Sequence, residues 1–288
     1  MRKSSFLIAR HVIPALLVLI LACGQIDSFY FFSKRFLLNR IDNYFNLYNE
    51  QEKFLKEQIK ILIEWHKAQE LPKITIFLSD FKKRFQNGLT QQDIDWTLHE
   101  LHFLWKRLVR QTIPDYAEFL KTIDKKQIEH LKSELEKRNE HLIDLLKLND
   151  KELTKDSQDR LIKIVKNCLG SLLPAQEKQI RNRVHNNRIW FQNRVQEARR
   201  SNKVLLNLIK SNKSANEIKK TLSQWAVDPE SIWSEKFAKK AEERRFYWIK
   251  MTIFIDSLIT FDQRRYALTK IQGYIDKIDS YKSPRSSK

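Results

Sequence analysis

Four glycines in 288 residues constrain this chain more than any other feature. A β architecture linked by tight turns needs glycine at left-handed positions, and Gly24, Gly88, Gly170 and Gly273 are too few and too dispersed to supply them. Helix is what remains. Apolar residues recur at three and four, as in Ile180, Val184, Phe191, Val195, Ala198, Leu205 and Ile209, the stripe of an amphipathic helix. No alternating strand-like stretch of useful length competes with it. Pro72, Pro114, Pro174, Pro229 and Pro284 fall where a helical pattern starts or stops, as a fixed φ and a missing N–H require. The expectation is an all-α protein of antiparallel helices near 26–47, 50–70, 72–86, 91–112, 115–147, 157–172, 175–211, 215–226, 230–256 and 261–280. They form either one elongated bundle or two halves, 23–150 and 151–282, with a disordered tail from Ser283.

Helix starts are written into the chain. Asp228-Pro229-Glu230 reads as an N-cap, a first-turn proline and an acid at the positive end of the dipole. Ser214-Ala215-Asn216-Glu217 and Thr260-Phe261-Asp262-Gln263 are capping boxes, and Thr90-Gln91-Gln92-Asp93 is a weaker relative. A faint repeat overlies them: Leu47, Leu89, Ile123, Leu172 and Ile259 each stand four residues before Gln51, Asp93, Gln127, Gln176 and Gln263. The aliphatic residue takes the hydrophobic-staple position and Gln closes the box. Helix initiation accounts for this pattern without duplication, since the spacings are uneven at 42, 34, 49 and 87 residues.

A basic head of Arg2, Lys3 and Arg10 precedes an apolar run, Val12 to Ala22, that ends in Ile20-Leu21-Ala22-Cys23-Gly24. This is the form of a bacterial lipobox. At 11 residues the run is short of the roughly 20 that a spanning helix needs. Residues 1–22 are therefore expected to be a signal peptide, with Cys23 acylated after cleavage. Gly24 and Gln25 follow it, without the Asp that commonly retains lipoproteins in the inner membrane. With Cys23 lipidated, Cys168 has no disulfide partner, and its spacing with Leu161, Ile164, Val165 and Leu172 suits a small core residue.

Charge is lopsided. Residues 23–173 hold 26 basic and 23 acidic side chains, a net +3, whereas 174–288 hold 25 and 12, a net +13. For a cytosolic protein such a field would suggest nucleic acid. The lipobox redirects it to anionic lipid headgroups, lipopolysaccharide or acidic envelope proteins, and no nucleic-acid partner is expected. The segment 175–211 is the candidate surface, with Arg181, Arg183, Arg188, Arg194, Arg199, Arg200 and Lys203 facing only Glu177 and Glu197, and Trp190 among them. Guanidinium forks suit phosphates and carboxylates. The bland reading is a solvated face of a basic protein.

Trp65, His66 and Lys67 precede Pro72 at an expected helix end. There the two cations would complement the negative terminus and the indole would pack. The functional alternative is a recognition corner. Phosphate-cradling loops and nucleophile elbows are excluded by the glycine count. No HExxH occurs, and the nearest metal-like pair, His99 with His102, reads as two ordinary polar helix positions. No catalytic residue, metal or cofactor is expected.

Tyr44-Phe45-Asn46-Leu47, Gln51, Trp65-His66-Lys67, Glu70-Leu71-Pro72 and Ile259-Thr260 with Gln263-Arg264-Arg265 resemble an uncharacterised domain-of-unknown-function family of Gram-negative lipoproteins. Its signature is Trp-His-Arg-x-x-x-Leu-Pro, and Lys67 stands here in place of Arg. A further likeness, through Ile259 to Gln263, is to LTxxQ-motif periplasmic proteins of the Spy and CpxP type. It implies a curved helical chaperone with a basic face. With no Asp after Cys23, the resemblance to Gram-negative lipoproteins implies the outer membrane, facing the periplasm. The combined reading is a lipid-anchored, non-enzymatic helical binding or chaperone-like module. A purely structural envelope protein is the alternative, and a hydrolase the third.

Overall fold

The computed structural model describes residues 26–211 and 213–282, so Cys23 and the tail from Ser283 lie outside the described residues. Within them the chain is all-α, with no strand. In order it forms α1 (Ile26–Phe45), α2 (Asn49–Trp65), a π-turn (His66–Glu70), α3 (Leu71–Gln86), α4 (Gln91–Lys121), α5 (Lys125–Lys147) and α6 (Asp150–Leu169). There follow α7 (Pro174–Asn182), α8 (Arg188–Lys210), α9 (Ala215–Val227), a 3₁₀ turn (Pro229–Ile232), α10 (Glu235–Leu258) and α11 (Phe261–Lys282). Among the described residues no helix is long and apolar enough to cross a membrane.

The chain gathers into two compact units. Unit 1 takes in the chain up to Ile74 with Glu100–Glu140 and Gln196–Ser234, and unit 2 takes in Thr75–His99, His141–Val195 and the chain from Glu235. A boundary near residue 150 therefore falls inside unit 2. Unit 1 buries Leu55, Ile59, Ile63, Leu71, Phe119, Leu120 and Leu131, and the Phe45 and Phe119 rings meet edge to face at 5.0 Å. Unit 2 buries Phe85, Leu161, Ile162, Val165, Leu169, Ile180 and Met251 in one cluster, and Leu145, Leu153 and Phe191 in another.

Each unit also holds a buried pair of glutamines, joined the same way. In unit 1, Gln51 Nε2 donates to Gln127 Oε1 at 3.1 Å and Gln127 Nε2 to Gln51 Oε1 at 2.7 Å. In unit 2, Gln176 and Gln263 exchange both bonds at 2.9 Å. Every one of these amides also donates to the carbonyl five residues before its partner: Gln51 to Thr122, Gln127 to Asn46, Gln176 to Leu258 and Gln263 to Ser171. Each oxygen accepts the N–H three residues earlier, from Tyr48, Asp124, Leu173 and Thr260. Two helix starts are thus tied together through their N3 side chains. Asn46 reaches a positive φ of 49°, a conformation that Asn tolerates better than most residues, and its carbonyl takes one of these bonds. Asp93 belongs to the same sequence pattern, but a carboxylate has no N–H to exchange. It closes its own box with Thr90 and pairs with Arg84 at 2.7 Å.

The expected boxes at Ser214 and Thr260 form. Another, Asn149 with Glu152, starts α6 seven residues earlier than the apolar pattern suggested. Proline is a weaker stop than expected. Pro114 lies inside α4, and the helix passes Pro72 because the π-turn rotates the carbonyl ladder, with Leu71 N–H donating to His66 O. The expected helix over 175–211 is broken at 183–187. There Asn186 Oδ1 accepts the Arg188 N–H at 2.8 Å, a local bond that competes with helix continuation, and Asn187 O accepts the Phe191 N–H at 3.0 Å as the first bond of α8. Asp228 makes no side-chain cap, and Pro229 opens a 3₁₀ turn instead of α10. Cys168 and Ile164 are exposed, not core residues, while Leu161 and Val165 are buried.

Gly88 shows where glycine is required. Its φ is +90° in the turn between α3 and α4, and a Cβ would lie 3.4 Å from Asp256 Oδ2. That oxygen accepts the Leu89 N–H at 2.9 Å, while Asp256 Oδ1 pairs with Arg264 at 3.1 Å. Arg264 also donates to Phe85 O at 2.5 Å.

Candidate functional site

In unit 2 the first two turns of α8 and the middle of α10 bring together arginines and aromatic rings. Trp190 and Arg194 are four residues apart on α8, hence on one face. Arg244, Tyr247 and Trp248 share a face of α10 for the same reason. The Arg244 guanidinium carbon lies 4.8 Å from the Tyr247 ring centre, 4.9 Å from Trp248 and 5.7 Å from Trp190, inside the range of cation–π attraction. Its Nη1 donates to Oδ1 of the buried Asn187 at 2.5 Å. Behind Trp190, Phe237 stacks at 5.5 Å. On the other side, the Tyr247 hydroxyl donates to Arg183 O at 3.4 Å.

Arg194 differs from its neighbours. It is half-buried and makes no hydrogen bond or ion pair with any described residue. Burial depresses its guanidinium. Burial also depresses Arg244, partly offset by Tyr247 and reinforced by the positive charge of Arg194. Among the described residues neither arginine has a carboxylate partner. Rings and one amide thus hold Arg244, and Trp190 joins it to the helix face that carries Arg194.

The other arginines of 175–211 do not form a single row. Arg181 is held by Glu177 at 2.8 Å and Asp159 at 2.6 Å. Arg188 is held by Asp150 at 2.5 Å and by the Leu146 and Leu148 carbonyls at 2.8 and 2.5 Å. Arg183 lies 4.1 Å over the Phe254 ring, with no carboxylate partner among the described residues. In unit 1, Arg200 bonds Glu197 at 3.2 Å and the Ile232 carbonyl. Glu197 is itself buried and accepts from Ser234 Oγ at 2.6 Å. Arg199 is exposed. Arg181, Arg188 and Arg200 therefore fasten the fold, whereas Arg183, Arg194 and Arg199 keep charge to offer.

Trp65, His66 and Lys67 sit in unit 1, where α2 passes into the π-turn, so no helix end is there for the two cations to complement. Burial lowers the His66 imidazole, and the Glu70 carboxylate partly opposes this. Lys67 pairs with Glu64 at 2.8 Å. The charge centre of the corner is Glu70, 2% exposed and clamped by Arg107, whose Nε and Nη2 both donate to Oε1, at 2.9 and 2.7 Å. Lys73 adds a contact at 3.4 Å. Among the described residues no group of three His, Cys, Asp or Glu is placed to hold a metal.

A family of unknown function, DUF6279, matches residues 43–238. The chain belongs to DUF6279. No curated protein and no solved structure matches it. The DUF6279 span contains Trp65, His66, Lys67, Glu70, Arg107, the first glutamine pair and Arg194, while Arg244, Tyr247, Trp248 and Gln263 follow it. The α10 half of the arginine–aromatic cluster was missed in the sequence because Glu242 to Trp248 alternates charge and rings around the helix without a clean stripe. Only the adjacency of Arg244-Arg245 to Tyr247-Trp248 marked it.

Proposed function

We propose that this DUF6279 member is a non-enzymatic helical binding or chaperone-like module of a bacterial envelope, lipid-anchored through Cys23 in the outer membrane and facing the periplasm. In this reading its basic C-terminal half engages anionic partners: lipid headgroups, lipopolysaccharide or acidic envelope proteins. One observation carries it. The +13 charge of 174–288 is only partly consumed by the fold, because Arg183, Arg194, Arg199 and Arg244 have no carboxylate partner among the described residues. A second reading, a structural envelope protein without a ligand, draws support from Arg181, Arg188 and Arg200, which serve internal contacts.

Co-sedimentation of the full chain with anionic vesicles separates the two. Binding should fall steeply with salt, since exposed charges are screened beyond about 8 Å at physiological ionic strength. Arg183→Glu, Arg199→Glu and Lys203→Glu together should abolish it with helicity intact, whereas Lys53→Glu, Lys121→Glu and Lys151→Glu should have a much smaller effect. Equal losses would favour the structural reading. In cells, the wild type should take up labelled palmitate and Cys23→Ser should not. Failure of that labelling would remove the anchor from the proposal.

A further inference from the structure

We propose that Arg194 and Arg244, framed by Trp190, Tyr247 and Trp248, form a binding site for a single phosphate group. This rests on the anion-binding reading above and gives it a defined ligand chemistry. A guanidinium taken partly out of water normally recovers the loss with a carboxylate. Arg194 has none, and no hydrogen-bond acceptor among the described residues replaces it. Arg244 approaches to 5.7 Å the Trp190 ring that shares a helix face with Arg194, so a second guanidinium serves the same patch, and like charges on one patch repel unless an anion sits with them. Arg244 cannot swing away to relieve the repulsion, because three rings and the Asn187 amide oxygen fix it.

The charge and geometry select the ligand. A carboxylate would neutralise one cation, whereas a phosphomonoester carries about −1.5 to −2 at neutral pH and presents three acceptor oxygens. Paired guanidiniums match those oxygens with forked donors. Among the described residues Arg244 spends only Nη1, on Asn187, leaving its other donors available. The rings lower the local dielectric, which strengthens each charge-assisted bond. The same chemistry is offered by a lipid headgroup phosphate and by free phosphate.

Isothermal titration calorimetry of the full chain in neutral detergent tests this, with inorganic phosphate in one arm and dihexanoyl phosphatidic acid in the other. Saturable one-to-one binding is expected, weakened at least tenfold by Arg194→Gln and several-fold by Arg194→Lys, which keeps charge but loses the fork. Lys151→Gln, at an exposed lysine on α6, should leave it unchanged. Comparable affinity in both arms assigns free phosphate. Binding confined to the lipid arm assigns the headgroup. Arg194→Gln should not lower the unfolding midpoint, because no bond among the described residues is lost, and an unchanged midpoint separates loss of binding from misfolding. No saturable heat in either arm, or binding indifferent to Arg194→Gln, overturns the site. If vesicle binding still responds to Arg183, Arg199 and Lys203 in that case, the broader anion-binding reading survives alone.

Discussion

The reciprocal glutamine pair of unit 1 makes a sharp energetic prediction. Gln127 is 2% exposed, and its amide takes part in bonds with Gln51, Asn46 and Asp124. Gln127→Leu keeps the volume roughly constant but leaves the Asn46 carbonyl and the Asp124 N–H without these partners. Each partly buried group so stranded costs about 1–3 kcal/mol, which puts the variant near 3 kcal/mol after the added apolar burial is credited. Gln51→Leu strands the Tyr48 N–H and the bond to Thr122 O and should cost a similar amount. The two exchanged bonds vanish in either single variant, so the double variant should fall short of additivity by about 1–2 kcal/mol. Urea unfolding followed by far-ultraviolet circular dichroism measures all three. Single losses under about 1 kcal/mol, or strict additivity, would refute the idea that the amides act as one unit. The same cycle on Gln176 and Gln263 should give the same coupling, since the bonding is the same.

Glu70→Gln keeps the shape but removes the charge that Arg107 clamps, and should cost about 2 kcal/mol by thermal unfolding, as expected for charge-assisted bonds. Glu70→Leu with Arg107→Met should recover much of that, because no lone charge is left buried. His66 supplies a pH test. Its folded value lies below the ordinary 6.5 because of burial, so its contribution is fully present above 6.5 and is lost as pH falls from 6.5 towards the depressed folded value. Stability measured by urea unfolding should decline over that interval, and His66→Gln should remove that part of the slope. Nuclear magnetic resonance titration should further show the His66 value falling in Glu70→Gln, since the opposing carboxylate is gone. A rise would contradict the assigned charge geometry.

The sequence by itself determined the helices. Glycine scarcity, three-and-four spacing and the boxes at Thr90, Ser214 and Thr260 are local signals, and local backbone bonding answers them with little reference to the rest of the chain. It also marked Gln51, Gln127, Gln176 and Gln263 as one pattern. Which glutamine meets which was decided only in three dimensions, because each Nε2 bonds a group at least 76 residues away. Pro72 and Pro114 misled for a related reason: a proline costs about 3 kcal/mol in an isolated helix, an amount that packing of Leu71, Ile74, Ile113 and Ala117 can offset. The arginines divide in the same way. Arg181 and Arg194 look alike in the sequence, but Asp159 and Glu177 take up the first, while the second stands one turn from Trp190, the ring that Arg244 approaches from α10. Charge count is a property of the chain, whereas the availability of a charge depends on what folding places beside it.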